Sequence, residues 1–196
     1  LMALQDKIGA NRTTEVQGVY AYHLPIADEA VVSFGLQVGA INYQSDYSEL
    51  VINPNDPKFN RSNEWQPNFG AGAIVTNDRY YFSISSTKML NANGEVARLG
   101  LYQRNLYLLG AYTFVISPRL RLKPFAMLRN ASAQKSSYDL GANLLGDDSY
   151  VIGVFTRSFH TYGFSGQLKL DELIRIGYVF ELPTQQSAGL SYTSHE

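Results

Sequence analysis

The amino-acid sequence predicts an all-β protein, an antiparallel transmembrane β-barrel of the outer-membrane type. Three observations carry the prediction. Ten consecutive segments alternate apolar and polar residues with the period of a strand, and turn residues separate them. Most of these segments run to about ten residues or more, beyond the five or six usual in soluble sheets and close to the nine to eleven that cross a bilayer obliquely. Among 196 residues there are 14 Tyr, 10 Phe and 16 Gly. Many tyrosines, including Tyr20, Tyr22, Tyr43, Tyr80, Tyr81, Tyr102, Tyr150, Tyr162 and Tyr178, stand near segment ends, where an interfacial girdle holds rings that are apolar at one end and wet at the other.

The segments are 16–25, 30–45, 67–76, 79–87, 103–116, 118–131, 136–145, 149–158, 160–170 and 172–182. Leu1-Met2-Ala3-Leu4 reads as the tail of a strand already under way, so the chain supplies ten or eleven strands. In 118–131 the even positions are Leu120, Leu122, Pro124, Ala126 and Leu128, while the odd ones include Arg119, Arg121, Lys123 and Arg129. In 160–170, Tyr162, Phe164, Leu168 and Leu170 oppose Thr161, Ser165, Gln167 and Lys169, and in 172–182, Ile174, Ile176, Tyr178 and Phe180 oppose Arg175 and Glu181. Alternation alone fits a soluble sandwich with its apolar face inside equally well; segment length and tyrosine placement suit lipid outside, though tyrosine is also a general strand former, and the residues alone leave the two readings even. The polar face then lines a lumen, with Ser33, Gln37, Arg79, Ser83, Ser85, Asn105, Arg121, Lys123, Asp139, Asn143 and Arg157. Such groups can pair across a small barrel, so a filled lumen and an open one are both compatible with them.

The longest break runs from Gln44 to Gln66, and a second lies around 88–102; Ser117-Pro118, Gly146-Asp147-Asp148 and Leu170-Asp171-Glu172 are tight turns that fall on the opposite side. Long connections on one side only are the asymmetry of a membrane barrel. Loops are also where a barrel wall leaves freedom for recognition. Tyr47, Phe59 and Trp65, set among acids, asparagines and prolines, are therefore candidate partner-binding residues; packing onto the rim of the barrel is the alternative. His195 and Glu196 are candidates for contact with a periplasmic partner, against a cap or an interstrand hydrogen-bonding cluster.

Chemistry has little to stand on. His23, His160 and His195 are far apart and none has metal-ligand spacing. There is no nucleophile elbow, phosphate-binding glycine loop or cysteine, and Gly70-Ala71-Gly72 reads as room for a bulky neighbour. Asp147-Asp148 and Asp171-Glu172 read as solvated turns. No enzyme activity, metal or cofactor is expected. A net charge of -1 offers no electrostatic case for nucleic acid, and no run of about 18 apolar residues makes a membrane helix.

Several pieces resemble a known family. Asp6-Lys7-Ile8-Gly9, Val19-Tyr20-Ala21-Tyr22-His23-Leu24-Pro25 and Val32 to Ala40 form a turn, an aromatic strand and a glycine-alternating strand. Asn55-Asp56-Pro57-Lys58-Phe59 leads into Pro67-Asn68-Phe69-Gly70-Ala71-Gly72, and Ile176 to Glu181 is followed by Ser191-Tyr192-Thr193-Ser194-His195-Glu196. In order and spacing these resemble the PorP/SprF family of outer-membrane barrels of type IX secretion, over about the first 85 and the last 45 residues; the middle departs more, with Lys123 to Leu128 standing where the family tends to have a Pro-Ser strand. The resemblance implies a bacterial outer-membrane location and a single barrel domain over 1–196, a fragment lacking an N-terminal signal and strands and a closing C-terminal strand, with about 14 strands when complete. It further implies an accessory that supports export or surface anchoring of clients such as adhesins, linked to gliding or to a periplasmic peptidoglycan-binding subunit. Outer-membrane lipid and type IX secretion components are the other partners it implies. A diffusion channel for small solutes is the rival reading, and a hydrolase using His195 or His23 a third.

Overall fold

The computed structural model describes residues 1–27, 29–46, 62–91, 102–132, 135–147, 149–184 and 194–195. Its elements are β1 (Met2–Ile8), β2 (Asn11–Ala27), β3 (Ala30–Ser45), β4 (Ser62–Thr76), β5 (Tyr80–Ser86), β6 (Asn105–Tyr112), β7 (Phe114–Ser117), β8 (Leu120–Ala131), β9 (Ser137–Gly146), β10 (Tyr150–Arg157), β11 (Thr161–Lys169), β12 (Arg175–Pro183) and β13 (Ser194–His195). All belong to one antiparallel sheet in chain order, β7 pairing with β8 beside β6. This is the meander of an up-and-down barrel, and among the described residues β1 and β13 are its two open edges.

The expected segments are present with shifted bounds. β1 extends the opening residues into a full strand, ended by Gly9 at φ 60 in the turn that the Asp-Lys-Ile-Gly stretch predicts. β2 starts earlier than expected, at Asn11, and β3 and β4 pair as far as Ser45–Ser62, so Gln44 and Gln66 are strand residues and the long break is shorter than it reads in sequence. Segment 103–116 is interrupted at Thr113, whose amide bonds to the Arg79 carbonyl at 2.6 Å instead of to the ladder. Arg79 lies in that turn rather than on a strand, a correction to its expected lumen position.

Register sorts every side chain to one of two faces. Val16, Tyr20, Tyr22, Leu24, Phe34, Leu36 and Val38 share the outer face with Phe82, Ile84, Leu106 and Leu128. Leu140, Ile152, Val154, Phe164, Leu168, Ile176 and Tyr178 continue it. These side chains are exposed, while the buried apolar ones among the described residues are only Ala30, Ile41, Tyr43 and Tyr102. A soluble chain of this size hides most of its large apolar side chains; here they face outward, as lipid requires. Among the described residues Leu120, Leu122, Ile174, Ile176 and Phe180 have no second sheet over them, unlike the core of a sandwich.

The outer face also marks the bilayer. On β2 it is apolar from Val16 to Ile26, where about ten residues at ~3.3 Å each, tilted by ~40°, rise about 25 Å, the height of a barrel's apolar band. Beyond Val16 the outward residues become Thr14 and Arg12, beside Asn42 and Gln44 on β3 and Trp65 and Asn63 on β4. Tyr80, Tyr112 and Tyr150 face out near the short-turn end, and Tyr138 and Tyr162 near the other. Tyr43, Tyr81 and Tyr102 do not join the girdle: Tyr81 lies on the inner-face row of Thr76, and Tyr43 and Tyr102 are buried on the inner side.

Candidate functional site

The inner face carries two polar assemblies. On the β8–β12 side, Asp139 is buried, and Arg129 places Nη2 2.8 Å from each of its carboxylate oxygens. Arg157 puts Nε 3.4 Å from Asp139 Oδ1 and donates from Nη2 to Glu181 Oε1 at 3.4 Å. The order Arg129, Asp139, Arg157, Glu181 is a ladder of alternating sign over five strands, produced by the direct pairing of Met127, Asp139, Arg157, Thr161 and Pro183. Nε of both arginines is buried without a well-aligned hydrogen-bond acceptor, so the guanidiniums are not fully used. Beside the ladder, Phe125 lies on Gly141 and Phe155 on Gly163; a Cβ at those glycines would meet ring atoms at 2.6 and 2.1 Å. Room for a bulky neighbour is therefore at Gly141 and Gly163. At Gly70, where the sequence suggested it, a Cβ would meet the Ser86 carbonyl at 2.8 Å, so that glycine serves the close approach of β4 to its neighbouring chain.

The second assembly closes the long-connection end on the β1–β4 side. Tyr102 donates to Asn68 Oδ1 at 2.9 Å, and Asn68 donates to Glu15 Oε1 at 3.5 Å. Gln37 donates to Gln17, and Gln17 to the Met2 sulfur at 3.7 Å. Ile41, Tyr43 and Tyr102 form the one buried apolar cluster among the described residues, and Lys88 Nζ stands 5.4 Å from the Tyr102 ring centre. Burial pushes the Tyr102 hydroxyl up from its ordinary value, with the Glu15 carboxylate acting in the same sense and the Leu90 backbone against it. Between the assemblies the inner wall of β2–β5 is small, with Ala21, Ser33, Gly35, Gly72, Ser83 and Ser85 around a cavity of about 240 Å³, where His23 Nδ1 and Ser33 Oγ are 2.6 Å apart.

Of the candidate partner-binding residues, Tyr47, Phe59 and Glu196 lie outside the described residues. Trp65 is on β4, 63 % exposed, on the outer face at the level where that face turns polar. His195 is on β13, paired with Phe180 near the long-connection end of β12. The two described ones, Trp65 and His195, lie on strands that are not neighbours in the sheet. The ladder went unpredicted as a unit, although Asp139 and Arg157 were expected on the inner face; the signal available was their shared parity with Arg129 and Glu181. Among the described residues no cluster of His, Cys, Asp or Glu suits a metal ion.

An amphipathic antiparallel meander with apolar residues outside, a charged inner face and connections of unequal length on its two ends defines an outer-membrane β-barrel. The family of type IX secretion system membrane proteins PorP/SprF matches residues 1–196, and the chain belongs to it. No curated protein and no solved structure matches. The protein is accordingly an outer-membrane component of type IX secretion, a family of secretion-system membrane proteins rather than of enzymes.

Proposed function

We propose that this barrel supports export or surface anchoring of client proteins such as adhesins, and that it recognises them at the long-connection rim rather than passing solutes through an open lumen. Family membership supports the secretion role. The observation that carries the reading is the Arg129–Asp139–Arg157–Glu181 ladder, which lines the inner wall of β8–β12 with large paired side chains that take up lumen space. Residues 47–61 and 92–101, with Tyr47 and Phe59 and with Trp65 at their base, are the recognition surface in this reading. Gliding machinery and a periplasmic peptidoglycan-binding subunit are the further partners it accommodates; the latter would meet the short turns, because β13 and His195 pair at the other end. Deleting residues 48–60 is expected to leave a folded, heat-modifiable barrel and to abolish surface display of the client. Intact display after the deletion would refute rim recognition. A large steady conductance of the purified protein in planar bilayers would favour the channel.

A further inference from the structure

The inner face of β8–β12 carries more positive charge than its ladder uses. Arg121 and Lys123 on β8, Lys169 on β11 and Arg175 on β12 share the parity of Arg129, Asp139, Arg157 and Glu181, and so point inward. All four lie toward the short-turn end, and none forms an ion pair among the described residues. Asp139 and Glu181 are taken by Arg129 and Arg157, and the Asp171 carboxylate accepts the Glu172 amide of its own turn at 2.7 Å. Lys169 and Arg175 are direct cross-strand partners, and like charges so placed repel. A bound anion would relieve that repulsion.

Spacing selects the anion. Arg121 and Lys123 are two residues apart on one strand, about 6.6 Å, while Lys169 lies three strand spacings from β8, about 14 Å, and Arg175 four, about 19 Å. A phosphate reaches one pair. An extended polypeptide of about five residues spans both, presenting a side chain to the same side every ~6.6 Å. The wall of sheet separates these cations from bilayer headgroups, and short turns mark the periplasmic end of a barrel.

We propose that the short-turn mouth of the inner face binds an acidic, extended polypeptide segment, clamped by Arg121 and Lys123 on one side and Lys169 and Arg175 on the other. This deepens the client-handling role and rests on that role only for the source of the segment, so binding by the purified protein and client display by cells succeed or fail separately. The probe is a fluorescein-labelled peptide alternating glutamate and serine, its control alternates glutamine and serine, and the full chain is held in neutral detergent. Anisotropy is expected to show salt-sensitive binding of the acidic peptide alone. R121Q/K123Q and K169Q/R175Q should each weaken it by about threefold or more, and their combination by about tenfold or more, while R121K/R175K keeps it. Heat-modifiable gel mobility checks that each variant is folded, and the two pair variants suffice if the combination is not. Binding unchanged in both pair variants would overturn the proposal. Equally, complete displacement of the peptide by inorganic phosphate or by phosphatidylglycerol micelles at matched charge would assign the cations to phosphate groups instead.

Discussion

Asp139 is the residue on which the β8–β12 ladder turns. Replacing it with Asn leaves Arg129 and Arg157 facing each other without a carboxylate between them. Both guanidiniums are about a third exposed, so the cost is that of a charged hydrogen bond discounted for solvent, about 1–3 kcal/mol, read by urea unfolding from lipid vesicles. Gly163 and Gly166 make a paired test on one strand. Gly163→Ala should cost about 1–3 kcal/mol by pushing the Phe155 ring aside, whereas Gly166→Ala, with nothing within 4 Å, should stay within about 0.5 kcal/mol. Tyr102 supplies a pH signature. Its hydroxyl is held above 10.0, so the folded state resists its ionisation; the contribution is complete below that value and is lost as pH rises past it toward the folded one. Absorbance titration should show late-ionising phenols, Tyr43 and Tyr102 among them, and Tyr102→Phe should shrink that phase without abolishing it. Residue-scale detail of this kind is hidden in sequence. Parity assigns Asp139 and Arg157 to the inner face, but their meeting depends on the register of β9 with β10; the Gly146-Asp147-Asp148 stretch announces the turn, yet the left-handed residue that sets the register is Asp147 at φ 48 and not the glycine.

Individual strands were more legible than their joints. Alternation located the cores of β3 and β8–β12, because lipid on one face and charge on the other enforce period 2 along each. It missed how far β2 and β4 run, since beyond the bilayer the outer face turns polar and the alternation fades. The β10–β11 hairpin is another blind spot. Ser158 and Phe159 sit at φ 51 and 55, two left-handed residues in a row, as a type I′ turn requires, without the usual Asn-Gly pair. Phe159 stays because its ring packs edge-on against Tyr138 at 5.7 Å, so relief must come from its neighbour. Ser158→Gly is expected to stabilise the protein by about 0.5–1 kcal/mol in the same vesicle assay. On β11 the two faces should respond in opposite ways: Phe164→Arg, outward and mid-strand, should cost about 2–4 kcal/mol, while inward Gln167→Glu should stay within about 0.5 kcal/mol.

For the whole molecule, the order of strands sets which connections share a side. The turns around residues 28, 78, 118, 148 and 172 lie at one end and the connections 47–61 and 92–101 at the other. Because the chain has no cysteine, single introduced thiols report orientation directly. Leu173→Cys, at a turn position 93 % exposed, should resist a membrane-impermeant maleimide in intact cells, and Asn53→Cys should react. The reverse pattern would invert the barrel and move client recognition to the short turns. The recognition residues themselves were only partly legible, because aromatic residues in a loop satisfy equally a partner, the rim and, as Trp65 illustrates, the level of the lipid headgroups.

Unequal strand length has a consequence in the plane of the membrane. β2, β3 and β4 hold 17, 16 and 15 residues against 8, 9 and 9 in β10, β11 and β12. The shorter strands do little more than cross the apolar band, while Arg12, Thr14, Asn42, Gln44 and Asn63 carry the taller flank about 13 Å further along the strand direction. The described strands thus give the rim a compass bearing, a polar parapet over β2–β4 and shorter strands at β10–β12, so the two flanks offer a neighbour in the membrane different heights of paired backbone to meet.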